Sequence, residues 1–122
     1  MSSLIFILSC QKAGDGGKAT ITVYPAHHGN KIMNRSDYAD SVFVKYNSNE
    51  LPGTRASDYN AIFTGTTGND YVACEGLKAG KYFIYCTGFD TTGPYRVKGG
   101  LPVNIKYKDR KQNIKIDLPI TE

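Results

Sequence analysis

Long apolar runs are missing from this sequence of 122 residues. The run Leu4–Leu8 has five residues, whereas a transmembrane helix needs about 20. No serine occupies a G-x-S-x-G elbow, so a hydrolase triad has no visible nucleophile. These absences exclude a membrane-spanning helix, and we expect that the chain is not an enzyme.

A helical period is also missing. Apolar residues recur at every second position instead, which is the spacing of a β-strand, and the 13 glycines and 9 tyrosines favour turns and strands. A chain of this length forms one domain around a single core. We therefore predict an all-β fold, a single antiparallel β-sandwich of about seven strands.

The segment 75–90 joins a turn with two glycines to a very apolar strand candidate. Every residue from Tyr82 to Cys86 is apolar, so neither face of this strand is polar. A strand that is apolar on both faces is typical of the middle of a fold. We expect the other strands to pack around it, with Leu77, Tyr82 and Ile84 in the core.

The remaining strands alternate with turns. Lys18–Tyr24 has apolar residues on one face only, and Pro25 is predicted to end that strand. Residues 25–39 are predicted to form a long polar loop. Gly99–Gly100 interrupts a later strand, which indicates a bulge or a bend.

The N-terminus carries a targeting pattern. The run Leu4–Leu8 ends at Ser9-Cys10, and a polar, glycine-rich stretch follows. This order resembles the end of a bacterial lipoprotein signal peptide, in which the cysteine is lipidated after cleavage. The resemblance implies a signal remnant over residues 1–9, a lipidated Cys10 with a flexible tether over 10–17, and a sandwich domain over 18–122. The alternative is a buried N-terminal strand in which Cys10 is a free thiol.

A lipid anchor on Cys10 would determine the cellular location of the protein. The resemblance implies two or three acyl chains on Cys10, enough for stable attachment to a bilayer. We therefore expect a lipoprotein of the outer membrane, facing the periplasm or the cell surface, with the membrane as one partner.

The net charge of +4 does not indicate nucleic-acid binding. The densest basic run, 106–111, is interrupted by Tyr107 and Asp109. Such a run is typical of a solvated hairpin end. We expect no nucleic-acid partner, and no cofactor is indicated.

The stretch Val72–Tyr82 is similar to the recurring G-x-Y-x-F-x-x-L-x-x-G-x-Y pattern of transthyretin-like and carboxypeptidase-regulatory-like β-sandwiches. In that pattern Leu77 fills the core, Gly80 turns the chain between the sheets, and Tyr82 starts the next strand. The run from Gly99–Val103 through Leu118–Glu122, together with the N-terminal Ser9-Cys10 pattern, resembles small bacterial lipoproteins of this prealbumin-like, Ig-like fold. The resemblance implies an architecture and not an activity.

Two histidines, His27 and His28, lie next to each other. On extended backbone their side chains would point to opposite sides. Both could bind one ion only if a special turn brought them together. No Cys, Asp or Glu lies at ligand spacing nearby. Metal or small-ligand binding by this loop is therefore the second of two hypotheses for function.

Two cysteines, Cys74 and Cys86, fall on the predicted inward face of successive strands. A disulfide between them suits an exported protein. Two buried free thiols fit equally well, because cysteine packs as a small hydrophobe. The sequence leaves both alternatives open.

The leading hypothesis for function is a non-catalytic, lipid-anchored module that contacts a protein or a glycan through its loops. Tyr38, Tyr59 and Tyr95 lie in or beside the longest loops. Tyrosines in loops stack on sugar rings or fill pockets in a protein partner. Ordinary edge packing of these rings is the alternative.

Overall fold

The computed structural model describes residues 12–92 and 95–122, and in these two ranges the chain is built of strands. The strands are β1 (Asp15–His27), β2 (Asn30–Lys31), β3 (Ser41–Tyr46), β4 (Ala61–Thr64), β5 (Val72–Leu77), β6 (Gly80–Asp90), β7 (Tyr95–Ile105) and β8 (Asn113–Pro119). Short 3-10 helices span Ala56–Asp58 and Tyr107–Asp109. No helix in the described ranges is long and apolar enough to cross a membrane. The all-β prediction is confirmed, with eight strands described where about seven were expected.

The strands form two sheets that enclose one core. In the first sheet, β1 pairs with β2 and β5 antiparallel and with β8 parallel. The second sheet has the antiparallel order β4-β3-β6-β7. The parallel β1–β8 pair departs from a purely antiparallel sandwich. Parallel neighbours need a long crossover connection, and here β2 to β7 supply it because they lie between β1 and β8 in the chain.

The predicted core residues Leu77, Tyr82 and Ile84 are all fully buried. The hydroxyl of Tyr82 donates a hydrogen bond to the carbonyl of Lys78 at 2.7 Å and accepts one from the backbone N–H of Gly14 at 3.0 Å. The bond from Tyr82 to Lys78 fixes the corner at which the chain passes from β5 in one sheet to β6 in the other.

The N-terminal boundary of the domain differs from the sequence prediction. The sequence predicts a flexible tether over residues 10–17, yet Ala13 is buried and β1 begins at Asp15. The backbone N–H of Lys78 donates to the carbonyl of Gly14 at 2.9 Å. The tether prediction is therefore wrong from Ala13 onward, because this segment pairs with the β5–β6 corner. The signal remnant and Cys10 lie outside the described residues.

Strand β1 continues through Pro25, which was predicted to end it. Its antiparallel pairing with β5 stops at Val23–Val72. Because β5 no longer pairs with β1 at Pro25, the missing N–H of this proline costs no hydrogen bond to β5. As a result β1 reaches His27, and the predicted loop 25–39 begins with a β-hairpin.

No bulge interrupts the pairing of β7 at Gly99–Gly100, so the predicted interruption of the strand is absent. The pairing of β6 with β7 keeps one register from Asp90–Tyr95 to Gly80–Ile105. A Cβ on Gly100 would lie 2.7 Å from the carbonyl oxygen of Ile84 and from the Phe83 ring. Glycine is required there for close packing.

Candidate metal centre

A tight turn places the two histidine side chains together at the end of β1. β1 and β2 are joined by the two-residue loop His28-Gly29, and both residues have positive φ, 54° for His28 and 81° for Gly29. These angles are those of a type I′ hairpin turn. The imidazole centroids of His27 and His28 are 4.0 Å apart. The turn that the sequence analysis requires for both imidazoles to reach one ion is therefore present, since the backbone bends between the two rings.

The end of the described chain brings a carboxylate to these imidazoles. After β8, Thr121 pairs with Lys98 of β7, which carries the chain across to the other sheet. Oε2 of Glu122 then lies 3.2 Å from Nε2 of His27 and 3.9 Å from Nε2 of His28. We refer to His27, His28 and Glu122 as the histidine corner.

A second carboxylate, that of Asp90, contacts the other ring nitrogen of His27. Nδ1 of His27 lies 2.6 Å from Oδ2 of Asp90, at the end of β6. The other oxygen of Asp90 accepts hydrogen bonds from the N–H and the hydroxyl of Thr92. These bonds, first the one from His27 and then those from Thr92, lower the pKa of Asp90 to about 2. Asp90 is therefore a carboxylate near neutral pH, and by accepting a hydrogen bond from Nδ1 it leaves Nε2 of His27 as the ring nitrogen that can bind a metal ion.

The burial of the three corner residues differs. His27 is 2% exposed, and its ring also forms a T-shaped contact with the ring of Tyr95 at a centroid distance of 5.8 Å. The side chains of His28 and Glu122 are 75% and 51% exposed. The corner thus has one fixed donor and two that can adjust their position.

The histidine corner has the chemistry and the spacing of a metal site. One donor atom from each of the three residues lies within 4.8 Å of the others. Atoms bound at about 2.0–2.1 Å to a tetrahedral ion are roughly 3.4 Å apart. The donor atoms of His27 and Glu122, 3.2 Å apart, are already near that spacing, and those of His28 and Glu122 are 3.9 Å apart. The three residues line an open cleft of about 500 Å³, which gives an ion access from solvent.

The sequence prediction found two residues of this site and missed two. It names His27 and His28 as possible metal ligands, but only as the second hypothesis, because no Cys, Asp or Glu lies at ligand spacing near them in the sequence. Asp90 and Glu122 follow His27 by 63 and 95 positions, so no local spacing could indicate them. Only the convergence of three strand ends at one corner unites the four side chains.

The three tyrosines predicted to contact a ligand do not form one cluster. Tyr38 packs on Phe89, and Tyr59 stacks on Tyr85 at 5.9 Å with nearly parallel rings. The hydroxyl of Tyr59 donates to the carbonyl of Gly53 at 2.7 Å. Tyr95 alone among the three contacts the histidine corner, through His27.

Cys74 and Cys86 are fully buried and are free thiols in the structure. The candidate disulfide is therefore not formed here, and the arrangement corresponds to the alternative of two buried thiols. Burial raises the pKa of Cys74 to about 12. Burial, and then Asp40 and Cys74, raise the pKa of Cys86. Both groups are consequently protonated near neutral pH and lie in the core as small apolar side chains.

The chain matches no protein-family model, no curated protein and no solved structure. The proposals for its function therefore rest on the geometry of its own residues.

Proposed function

We propose that this protein is a non-catalytic, lipid-anchored β-sandwich module that binds a divalent transition-metal ion at the histidine corner. The observation that carries the metal site is the convergence of donor atoms from His27, His28 and Glu122 within 4.8 Å. The hydrogen bond from His27 to Asp90 adds the carboxylate support that metal-binding histidines commonly have.

The donor set selects the class of ion. Two imidazoles and one carboxylate suit zinc or copper(II), whereas calcium and magnesium prefer sites made only of oxygen donors. Copper(II) binds more tightly than zinc to most sites of this kind. Binding requires neutral imidazoles, so the affinity for metal should fall as the pH is lowered.

Calorimetric titration of the full chain with zinc and with copper(II) tests the metal site. We expect one ion per chain, and an affinity at least about 10-fold lower in His28→Gln and in Glu122→Gln. Both residues are exposed, so these changes leave the core intact. Glu75→Gln removes the same charge from an exposed position on β5 and should bind as the parent does. Absence of binding, or equal affinity in all variants, would refute the site.

Anchoring through Cys10 is the second part of the proposal. It is supported by the apolar run before Ser9-Cys10 and by the exposed position of Lys12, where the described chain begins. Mass spectrometry of the protein expressed in a Gram-negative host tests it. An N-terminal Cys10 carrying acyl chains is expected, and a mature chain that still begins at Met1 would contradict anchoring.

Contact with a protein or glycan remains a second candidate function, on the outer face of the second sheet. Ile62 is 50% exposed there and pairs with Phe43. Phe43 contacts Tyr59 and the buried Tyr85, so Ile62, Phe43 and Tyr59 provide an apolar and aromatic surface for contact with a sugar. A glycan array tests this candidate. Binding that is lost in Ile62→Ser would support it, whereas a negative array would remove the glycan version.

A further inference from the structure

The end of the sandwich at which β1 begins is strongly basic. Residues 12–18, 75–82 and 104–113 meet there, because Asp15 pairs with Leu77, Gly80 with Ile105 and Thr20 with Asn113. These segments contain eight cationic and three acidic residues, a net charge of +5, while the whole chain has +4. The rest of the protein therefore has a net charge near −1, and the positive charge is concentrated at this basic end.

Four of these cations surround one cavity. Lys18, Lys78, Arg110 and Lys111 come from three separate parts of the chain and line a pocket of about 270 Å³. Among the ion pairs of the described residues, none involves any of the four. No acidic side chain lines the pocket. Such a group of unpaired cations attracts phosphate groups.

The basic end is also the end at which the chain enters the domain. The carbonyl of Gly14 accepts a hydrogen bond from the backbone N–H of Lys78, so this segment is fixed beside the pocket. Lys12 is two residues from Cys10, and two extended residues span at most about 7 Å. An acylated Cys10 would hold the basic end within about 10 Å of the lipid headgroups, the Debye length at 0.1 M salt.

We propose that the basic end binds the phosphate groups of an anionic phospholipid surface and so sets the orientation of the sandwich on the bilayer. The orientation of the sandwich on the bilayer rests on the proposed anchor. Binding to anionic lipid does not, because the charge of the basic end is independent of acylation. The histidine corner lies at the other end of β1. It would consequently face away from the membrane, open to metal ions in solution.

Sedimentation of the full chain with lipid vesicles tests the proposal. Cys10→Ser keeps the chain free of acyl groups, so failure of the anchor does not affect the result. We expect this protein to bind vesicles of phosphatidylglycerol and phosphatidylcholine, and not vesicles of phosphatidylcholine alone. Binding should weaken with added salt. Adding Lys78→Gln and Lys111→Gln should weaken it about 30-fold, the loss expected for two basic residues near an anionic surface.

A matched control separates the basic end from total charge. Lys31→Gln with Lys98→Gln removes the same two charges from β2 and β7, and binding should remain within about threefold of the parent. An equal loss in both double variants, or no binding to anionic vesicles, would overturn the proposal. Release from vesicles by millimolar inorganic phosphate at constant ionic strength would also overturn it, because the site would then recognise a free anion.

Discussion

The Nδ1 atom of His27 and the Oδ2 atom of Asp90 lie 2.6 Å apart, although 63 residues separate them in the chain. His27 ends β1 in one sheet, and Asp90 ends β6 in the other. Their hydrogen bond therefore ties the two sheets together at the histidine corner. It also orients the His27 ring, so removing the Asp90 carboxylate should change the affinity of the histidine corner for metal.

We expect Asp90→Asn to lower the affinity for zinc about 10- to 100-fold, the usual effect of removing a carboxylate that supports a histidine ligand. Competition with a colorimetric zinc chelator measures this change. Asp117→Asn is the matched control, since Asp117 lines the same cleft without belonging to the donor cluster. Equal losses in the two variants would show that only the charge of the cleft matters.

Asp40 should make the stability of the protein depend on pH. Its carboxyl group is fully buried, and neither oxygen has a hydrogen-bond partner within the described part of the chain. Burial raises the pKa of Asp40 to about 7, above the value of about 3.9 for an unfolded chain. The folded state therefore holds its proton more tightly, and this contribution to stability is present below about pH 4 and lost as the pH rises to 7.

We expect Asp40→Asn to abolish the decrease in stability that ionisation of Asp40 causes as the pH rises, because an amide does not ionise. Urea unfolding at pH 5 and at pH 8 should show the parent weakening more than the variant. Asp109→Asn, an ionisable position outside the core, should keep the slope of the parent. If the parent and Asp40→Asn showed the same change with pH, Asp40 would not be the titrating group.

The two core thiols should not react while the protein is folded. In a Cys10→Ser background, we expect Cys74 and Cys86 to resist Ellman's reagent in buffer and to react fully in denaturant, because both are buried and protonated. Absorbance at 412 nm reports the reaction. Failure of both thiols to react in denaturant would instead indicate a disulfide, the alternative that the sequence left open.

Tyr82→Phe should destabilise the fold by about 1–3 kcal/mol, because it leaves the carbonyl of Lys78 and the N–H of Gly14 without their partner. Urea unfolding followed by circular dichroism measures the free energy of unfolding. Tyr46→Phe is a matched control, since that ring packs edge-on against Tyr82. A loss of stability that was no larger in Tyr82→Phe than in Tyr46→Phe would argue against a role for the hydroxyl.

Much of the fold was predictable because the pattern of apolar residues that specifies a strand lies within a few consecutive residues. The alternation in Lys18–Tyr24 places Ala19, Ile21 and Val23 in the core, and the unbroken apolar run of β6 indicates a strand covered on both faces. Leu77 and Tyr82 are fully buried, as expected for core residues. The errors at Pro25 and at Gly99–Gly100 share one reason. What proline and glycine do within a strand depends on which neighbouring strand approaches them.

The β-sandwich, its central strand and its core could be predicted, because strand periodicity is a property of consecutive residues. The candidate sites could not be predicted in this way, because they form only when distant parts of the folded chain meet. The histidine corner needs the ends of β1, β6 and β8 to converge, and the basic end needs three distant segments to meet. Those distances depend on how the sheets are paired and stacked, and no spacing within the chain encodes them directly.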